Sequence, residues 1–366
     1  MVIKVGTSVL RGHGDRDTKA VIRDLAASIC RQQANRCRVV LVSSGAVGLG
    51  SARLGFAERP RDLVTLQASA AVGQGQLMKL YDAAFEAHGQ RVAQVLLTRA
   101  DLVSRRRYRN ASGTLHRLLE LGVVPIINEN DALAVDELRF GDNDTLSALV
   151  ATVVAASELV LLTDIDRLYS ADPRRDSSAE PISEVRSRRE LDALQGTAEG
   201  SGHWGTGGMT TKLAAARIAT RAGITVRLAD GRAGAVLDHL LEGNQTGTSF
   251  LPDALPVPER KRWLTHGVLP RGSLRLDAGA VDAISCRGAS LLAVGIRSVE
   301  GSFESEEVVR LCHLDGREFA RGVSRHGSSV VNSIKGCRSA VVDQRLGDSG
   351  CACVVHRDDL VVLDGG

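Results

Sequence analysis

No stretch of this sequence approaches the ~18 consecutive apolar residues that a membrane helix requires, and Met1 to Leu10 lack the charged-then-apolar layout of a signal peptide. Together these absences lead us to expect a cytoplasmic protein. CxxC pairs are also missing. The seven cysteines (Cys30, Cys37, Cys286, Cys312, Cys337, Cys351, Cys353) are odd in number and scattered, which argues against structural zinc. Cys351 and Cys353 with His356 could serve as ligands, but free thiols are the simpler reading. There is almost no charge imbalance: 46 basic residues against 43 acidic leave a net charge of +3, so no overall field draws the chain to nucleic acid or membrane. Lysine is scarce. Only Lys4, Lys19, Lys79, Lys212, Lys261 and Lys335 occur among the 46 basic residues, so a lysine inside a glycine-rich motif calls for a specific explanation.

What is present is enough apolar sequence, 43% over 366 residues, for two cores. Up to about Phe250, short β-branched runs alternate with stretches of helical period, the pattern of an α/β domain with a largely parallel sheet. The spacing predicts strands at Val2 to Val5, Val39 to Ser43, Val92 to Leu97, Val123 to Ile127, Leu159 to Thr163 and Thr225 to Leu228. Their near-continuous apolar character fits strands covered on both faces. Helices are predicted at Thr18 to Gln33, Leu63 to His88, Ser112 to Leu121, Thr145 to Ala156 and Thr210 to Ala222. Three prolines between Leu251 and Pro258 suit a linker. Beyond it, Ser273 to Leu276, Leu291 to Val294 and Val308 to Leu311 lie between glycine-bearing turns, as in a small, mostly β domain. From Arg260 to Gly366 there are 15 Arg or Lys against 13 Asp or Glu, with Trp263, Phe303 and Phe319 the few aromatics, a weak footprint for nucleic acid.

In parallel α/β sheets ligands gather beyond the carboxyl ends of the strands. Three predicted strands run there into polar residues: Lys4 to Ser8, Ser43 to Ala46, and Asn128 to Asp131. The Gly6 and Gly45 turns are expected to leave backbone N–H groups free for an anion, with Gly45 opening a helix whose N-terminus adds partial positive charge; Ser43 and Ser44 acting only as helix caps is the alternative. In GDNDTLSALV, Asp142, Asn143 and Asp144 precede an apolar helix. One cap is needed and three candidates are present, so the surplus points to positioning of a cation, although such clusters also populate ordinary turns. GTGGMTTK, Gly205 to Lys212, brings flexible amides and a lysine to the first turn of a helix without the spacing of GxxxxGK[ST] or GxGxxG; a plain surface loop is the bland alternative. Two lysines, several N–H-rich turns and no Ser-His-Asp or Cys-His pairing fit phosphoryl transfer better than acyl hydrolysis. A carboxylate acceptor, ionised at neutral pH because its pKa is about 4, needs no general base.

VIKVGTSVL from Val2, VSSGAVGLG from Val42, QASAAVGQGQLM from Gln67, LLTRAD from Leu96, INEND from Ile127, GDNDTLSALV from Gly141, LLTDIDRLYSADPR from Leu161 and GTGGMTTK from Gly205 resemble, in order, the glutamate 5-kinases of the amino acid kinase family. GVSR from Gly322 and VHRDD from Val355 fit a PUA domain appended to them. The resemblance implies an amino acid kinase domain over 1–252, a linker over 253–270, a PUA-like domain over 271–350 and a tail over 351–366. The implied reaction makes L-glutamyl 5-phosphate from glutamate and ATP with Mg²⁺, the first step toward proline. Lys4 and Lys212 would bind phosphates and stabilise the transferring group, with Asp144 holding them. Ser44, Gly45, Asn128, Asp131 and Asn143 would bind glutamate. Lys4, Thr163, Asp164, Thr206, Gly207, Gly208, Met209, Thr210, Thr211 and Lys212 would line the nucleotide site. Proline inhibition, a homo-oligomer (dimer or tetramer) and hand-off to glutamate-5-semialdehyde dehydrogenase are further implications; nucleic acid and membrane are not. Aspartate or N-acetylglutamate as acceptor, or RNA binding through the PUA-like part, are the rival readings. Arg167 departs from the glycine common before LY in relatives, and almost no lead-in precedes Lys4, as a trimmed start would leave.

Overall fold

Strand β1 (Val2–Val5) is buried at all four positions, as befits a strand with a parallel neighbour on each side and helices above and below. This computed structural model describes all residues except 15, 99–100, 103–104, 133–142, 172–175, 177, 201–207, 233–235, 243, 245, 253–263, 265–269, 347–351 and 364–366. The chain forms two compact units, Met1–Asp101 with Asn110–Pro256, and Leu102–Arg109 with Val257–Gly366.

Along the chain the order continues α1 (Thr7–Leu10), α2 (Thr18–Ala34), β2 (Val40–Ser43), α3 (Ala46–Arg53), α4 (Leu63–Glu86), β3 (Val92–Leu97), α5 (Arg105–Glu120), β4 (Val124–Glu129), α6 (Asn143–Val153) and β5 (Glu158–Thr163). The short strands β6 (Leu168–Tyr169), β7 (Pro181–Ile182) and β8 (Glu184–Val185) follow, then α7 (Arg188–Gly200), α8 (Gly208–Arg221), β9 (Thr225–Asp230), α9 (Val236–Leu241) and β10 (Thr248–Phe250). One eight-stranded sheet has the order β3-β4-β2-β1-β5-β9-β10-β8. The pairings from β3 through β9 are all parallel, and β10 runs antiparallel to β9. The chain works outward from β1 on one side through β2, and on the other through β5. Such a reversal of direction opens a crevice at the carboxyl ends of the central strands.

Alternation along β1 sends Ile3 and Val5 into one core, which they share with α2 and α4 through Ile22, Ile29, Leu77, Tyr81 and Phe85. Lys4 therefore points to the opposite face, where α6 packs on β1 and against α8. Helix α6 is buried along its whole length, which accounts for the absence of any charged residue after Asp144. The α3 and α4 backbones touch: a Cβ on Gly73 would lie 1.8 Å from the Ala46 carbonyl oxygen, and one on Gly50 would lie 1.7 Å from that of Ser69. Glycine at both places brings the start of α3 close to the crevice.

All six expected strands and all five expected helices are present, with two informative shifts. Helix α5 begins at Arg105, seven residues before the expected Ser112, because its arginine-rich first turn carries no apolar period. Asn143 and Asp144 lie inside α6 and not ahead of it. Asp142 is outside the described residues, as is the proposed linker apart from Leu264 and Pro270.

The second unit is built on a five-stranded sheet in the order β13 (Ile296–Gly301), β11 (Gly272–Leu276), β14 (Val308–Cys312), β15 (Glu318–Val323) and β17 (Leu360–Val362). Strand β12 (Leu291–Leu292) pairs with β16 (Cys353–Val355), and helices α10 (Ala278–Arg287), α11 (Ser328–Ile334) and α12 (Ser339–Leu346) complete the unit. Residues from 351 onward, read in sequence as a tail, thus supply two strands. With three residues each, these were too short to show a period. Leu274, Leu311, Ala320, Val354 and Leu360 share its core.

Gly73→Ala is expected to force α3 and α4 apart and to lower unfolding stability by about 1–3 kcal/mol, the usual cost of overpacking. Chemical denaturation of the two proteins side by side measures it.

Candidate active site

Asp144, in the first turn of α6, receives both sequence-predicted lysines. Lys4 Nζ lies 2.7 Å from its Oδ1 and Lys212 Nζ 3.2 Å from its Oδ2. Thr211 donates its hydroxyl to the same Oδ2 at 2.8 Å, and Lys212 also donates to the Gly208 carbonyl at 2.9 Å. Because α8 starts at Gly208, Lys212 stands in its second turn, one turn later than expected, close enough to bond back to that carbonyl. Burial by itself would raise the Asp144 carboxyl, but the two ammonium charges outweigh it and hold the group down at about 2. Within this trio two positive charges face one negative, leaving an excess that suits a polyanion.

Beside the trio runs a chain of amides. Asn143 Nδ2 donates to Ser44 Oγ and to Asn128 Oδ1, each at 3.1 Å. Ser44, Gly45, Asn128, Asp131 and Asn143 all line one cavity of about 200 Å³. Gly45 adopts a left-handed φ of 99° as the N-cap of α3, a conformation costly for any residue with a Cβ. It turns the chain so that the first amides of α3, which lack partners within the helix, face this cavity. Asp131 sits at its edge, buried, with no hydrogen-bond partner for Oδ1 among the described residues. Burial pushes its carboxyl up to about 6, with Arg59 pulling weakly the other way. The cavity thus has one end suited to an anion and one suited to a cation.

Gly6 departs from expectation. Its N–H is not free but donates to the Leu162 carbonyl at 3.1 Å, closing the turn against β5. A Cβ there would lie 3.4 Å from Lys4 Nζ, an ordinary contact distance.

The family model of the amino acid kinase family matches residues 1–230. The chain belongs to that family. A PUA domain matches residues 272–346. Glutamate 5-kinase of Prochlorococcus marinus (strain MIT 9313) is 56% identical over 361 residues, covering 99% of this chain and 98% of the relative. Glutamate 5-kinase of Synechococcus elongatus is 52% identical over 363 residues, covering 99% of each. The solved structure of carbamate kinase from Giardia lamblia bound to AMP-PNP is 17% identical with a TM-score of 0.50, covering 69% of this chain and 98% of that one, a likeness of fold.

For an amino acid kinase, the remaining candidates fall at the end of β5 and the start of α8. Thr163 is buried and donates to Asp164 Oδ1 at 3.2 Å, while Asp164 itself is exposed. Met209 and Thr210 share the first turn of α8 with Gly208 and Thr211, Met209 pointing into the interior. Thr206 and Gly207 lie outside the described residues. Five polar residues that line the cavity were not among the site residues expected from sequence: Thr7, Arg11, Ser51, Glu58 and Arg59. Thr7 stood inside a quoted motif, but in an arginine-rich chain nothing marks Arg11 or Arg59 as special. Among the described residues no three His, Cys, Asp or Glu side chains cluster as a metal site, and no helix is long and apolar enough to cross a membrane.

The two carboxylates affect stability with opposite signs. Asp144, held below its unfolded value, stabilises the fold above about pH 4, and that contribution is lost as pH falls toward about 2. Asp131, raised to about 6, binds its proton more tightly when folded, so stability falls as pH rises from about 4 to about 6. Asp131→Asn is therefore expected to be more stable than the parent at about pH 7, on the order of 1–3 kcal/mol, with the gap closing near pH 4. Urea titrations at the two pH values check both sign and window.

Proposed function

We propose that this chain transfers the terminal phosphoryl group of ATP to the γ-carboxylate of glutamate, giving L-glutamyl 5-phosphate, the step that opens proline biosynthesis. The observation that carries the reading is the meeting of Lys4 and Lys212 on Asp144, next to a cavity with an anion-binding helix start and a buried, unpaired carboxylate. Relatives more than half identical over the full length, named glutamate 5-kinase, supply the substrate.

The chemistry follows from charge. A carboxylate is already a nucleophile at neutral pH, so the obstacle is repulsion between it and the triphosphate. Lys4 and Lys212 offset that repulsion, and they stabilise the charge that spreads over the transferring group. Asp144 holds the two ammonium groups within reach of one phosphate without itself reacting. The first amides of α3 and the Ser44 hydroxyl receive a carboxylate of the amino acid, and Asp131 receives its ammonium group, the one cation the substrate brings. Thr163, Asp164 and the start of α8 take the nucleotide. With no protein cage of three or more ligands among the described residues, Mg²⁺ would be held chiefly by phosphate oxygens, as is usual for that ion.

Incubating the protein with ATP and either glutamate, aspartate or N-acetylglutamate, and trapping the acyl phosphate with hydroxylamine, tests the assignment. Glutamate is expected to give the highest kcat/KM, and a preference for aspartate would overturn it. Lys212→Ala should lower kcat by about 10²- to 10³-fold, the scale for removing one preorganised charge-stabilising group. Asp131→Ala should act mainly on the KM for glutamate, which the same assay run over a range of glutamate concentrations separates from kcat.

A further inference from the structure

Helix α4 carries three polar side chains, Ser69, Gln74 and Tyr81, on a face that is otherwise core, and two of them, Gln74 and Tyr81, bond to neighbouring strands. Seven residues apart, they lie two turns from each other on one side of the helix. Both are buried. Tyr81 reaches β2: its hydroxyl is 2.8 Å from Ser43 Oγ. Ser43 spends its one proton on the Ser44 carbonyl at 3.1 Å, so the tyrosine is the donor. Gln74 reaches β4, where its Oε1 accepts from Asn128 Nδ2 at 2.9 Å. Phosphoryl transfer as described above uses neither residue.

The amide chain has a direction, and Gln74 lies at its end. Glu129 N–H, a donor beyond doubt, points at Asn128 Oδ1 from 2.9 Å, which assigns oxygen and nitrogen in the Asn128 amide. Its Nδ2 then needs an acceptor, and Gln74 Oε1 is the one it has. Asn128 Oδ1 in turn accepts from Asn143 Nδ2, which also donates to Ser44 Oγ. Ser44 thus receives a hydrogen bond from the protein and keeps its own proton, and it lines the cavity beside the first amides of α3. Gln74 Nε2 itself finds no acceptor among the described residues. An unpaired buried donor costs stability, so filling space does not account for a glutamine here.

We propose that Gln74 is a positioning residue for the amino-acid substrate: its carbonyl pairs Asn128 Nδ2 and so anchors the Asn128–Asn143–Ser44 chain, whose polarity the Glu129 N–H dictates, so that the Ser44 hydroxyl is presented as a donor to a substrate carboxylate. Without that carbonyl, Asn128 Nδ2 is left unpaired. Turning the amide over does not help, because it aims the nitrogen at Glu129 N–H and Asn143 Nδ2, donor against donor. The inference rests on the glutamate kinase reading, because it needs an anionic amino acid in the cavity.

The test is steady-state kinetics on the full chain. The parent protein must first turn over glutamate; if it does not, the functional reading fails, whatever Gln74 does. Gln74→Met keeps length and approximate volume but removes the acceptor. It is expected to raise the KM for glutamate about ten-fold or more, the scale of one buried donor left unpaired, while kcat and the KM for ATP stay within about twofold of the parent. Gln74→Glu keeps an acceptor and is expected to restore most of the glutamate KM. In an Asn128→Ala background, Gln74→Met should add nothing, because the link it acts through is already gone. An unchanged glutamate KM in Gln74→Met, an equal loss in Gln74→Glu, or a full additional loss in the Asn128→Ala background would each overturn the proposal.

Discussion

One carboxylate holding two ammonium groups is the interaction on which the site depends. Lys4 and Lys212 lie more than two hundred residues apart in sequence and, unopposed, would repel each other at close range. Asp144 reaches both, at 2.7 and 3.2 Å, from a helix buried on all sides. A buried ion pair is usually a doubtful source of stability, because desolvation offsets the attraction. On the proposed function its value is geometric: it would fix two cations in one place before any triphosphate arrives, so that little reorganisation is left for the reaction. The sheet order serves this arrangement, since the central strand carries Lys4 on one face and core residues on the other.

Much of this could be read from the residues. Strands buried on both faces have near-continuous apolar sequence, so β1, β2, β4 and β5 were plain. With so few lysines in the chain, Lys4 and Lys212 stood out, and a surplus of acid and amide groups around the start of α6 pointed to the positioning of a cation, which the family resemblance narrowed to Asp144. The harder part was anything decided by close approach. Gly50 and Gly73 are ordinary helix glycines until α3 and α4 are placed together, when each is found against the backbone of the other helix. Nothing in the sequence singles out Gln74 and Tyr81, because their partners, Asn128 and Ser43, are distant along the chain. Gly6 was misjudged for the same reason: the acceptor for its N–H comes from β5.

The second unit shows how segment length limits such reading. Of its strands of five or six residues, β11 and β14 stood out between glycine turns, whereas β13 and β15 were not singled out. Strands β16 and β17, with three residues each, did not, although β17 completes the sheet by pairing with β15. Only their partners identify residues 353–362 as part of the core, through Val354, Val355 and Leu360.

Asp131 and Asp144 are both buried carboxylates within the same crevice, yet their proton affinities move apart, to about 6 and about 2. The difference lies in what the protein provides. Asp144 has its countercharges built in, whereas Asp131 has only the weak influence of Arg59. On the proposed function, an amino acid entering the cavity would bring an ammonium group to Asp131, whose buried Oδ1 has no hydrogen-bond partner among the described residues. Part of the binding energy therefore comes from relieving a cost the folded protein already bears. The same cost is a reason for selectivity: a ligand with the same two carboxylates but an acylated, uncharged nitrogen would leave Asp131 buried and unpaired, and a site built to pair a group rejects the analogue that lacks it far more strongly than shape alone would.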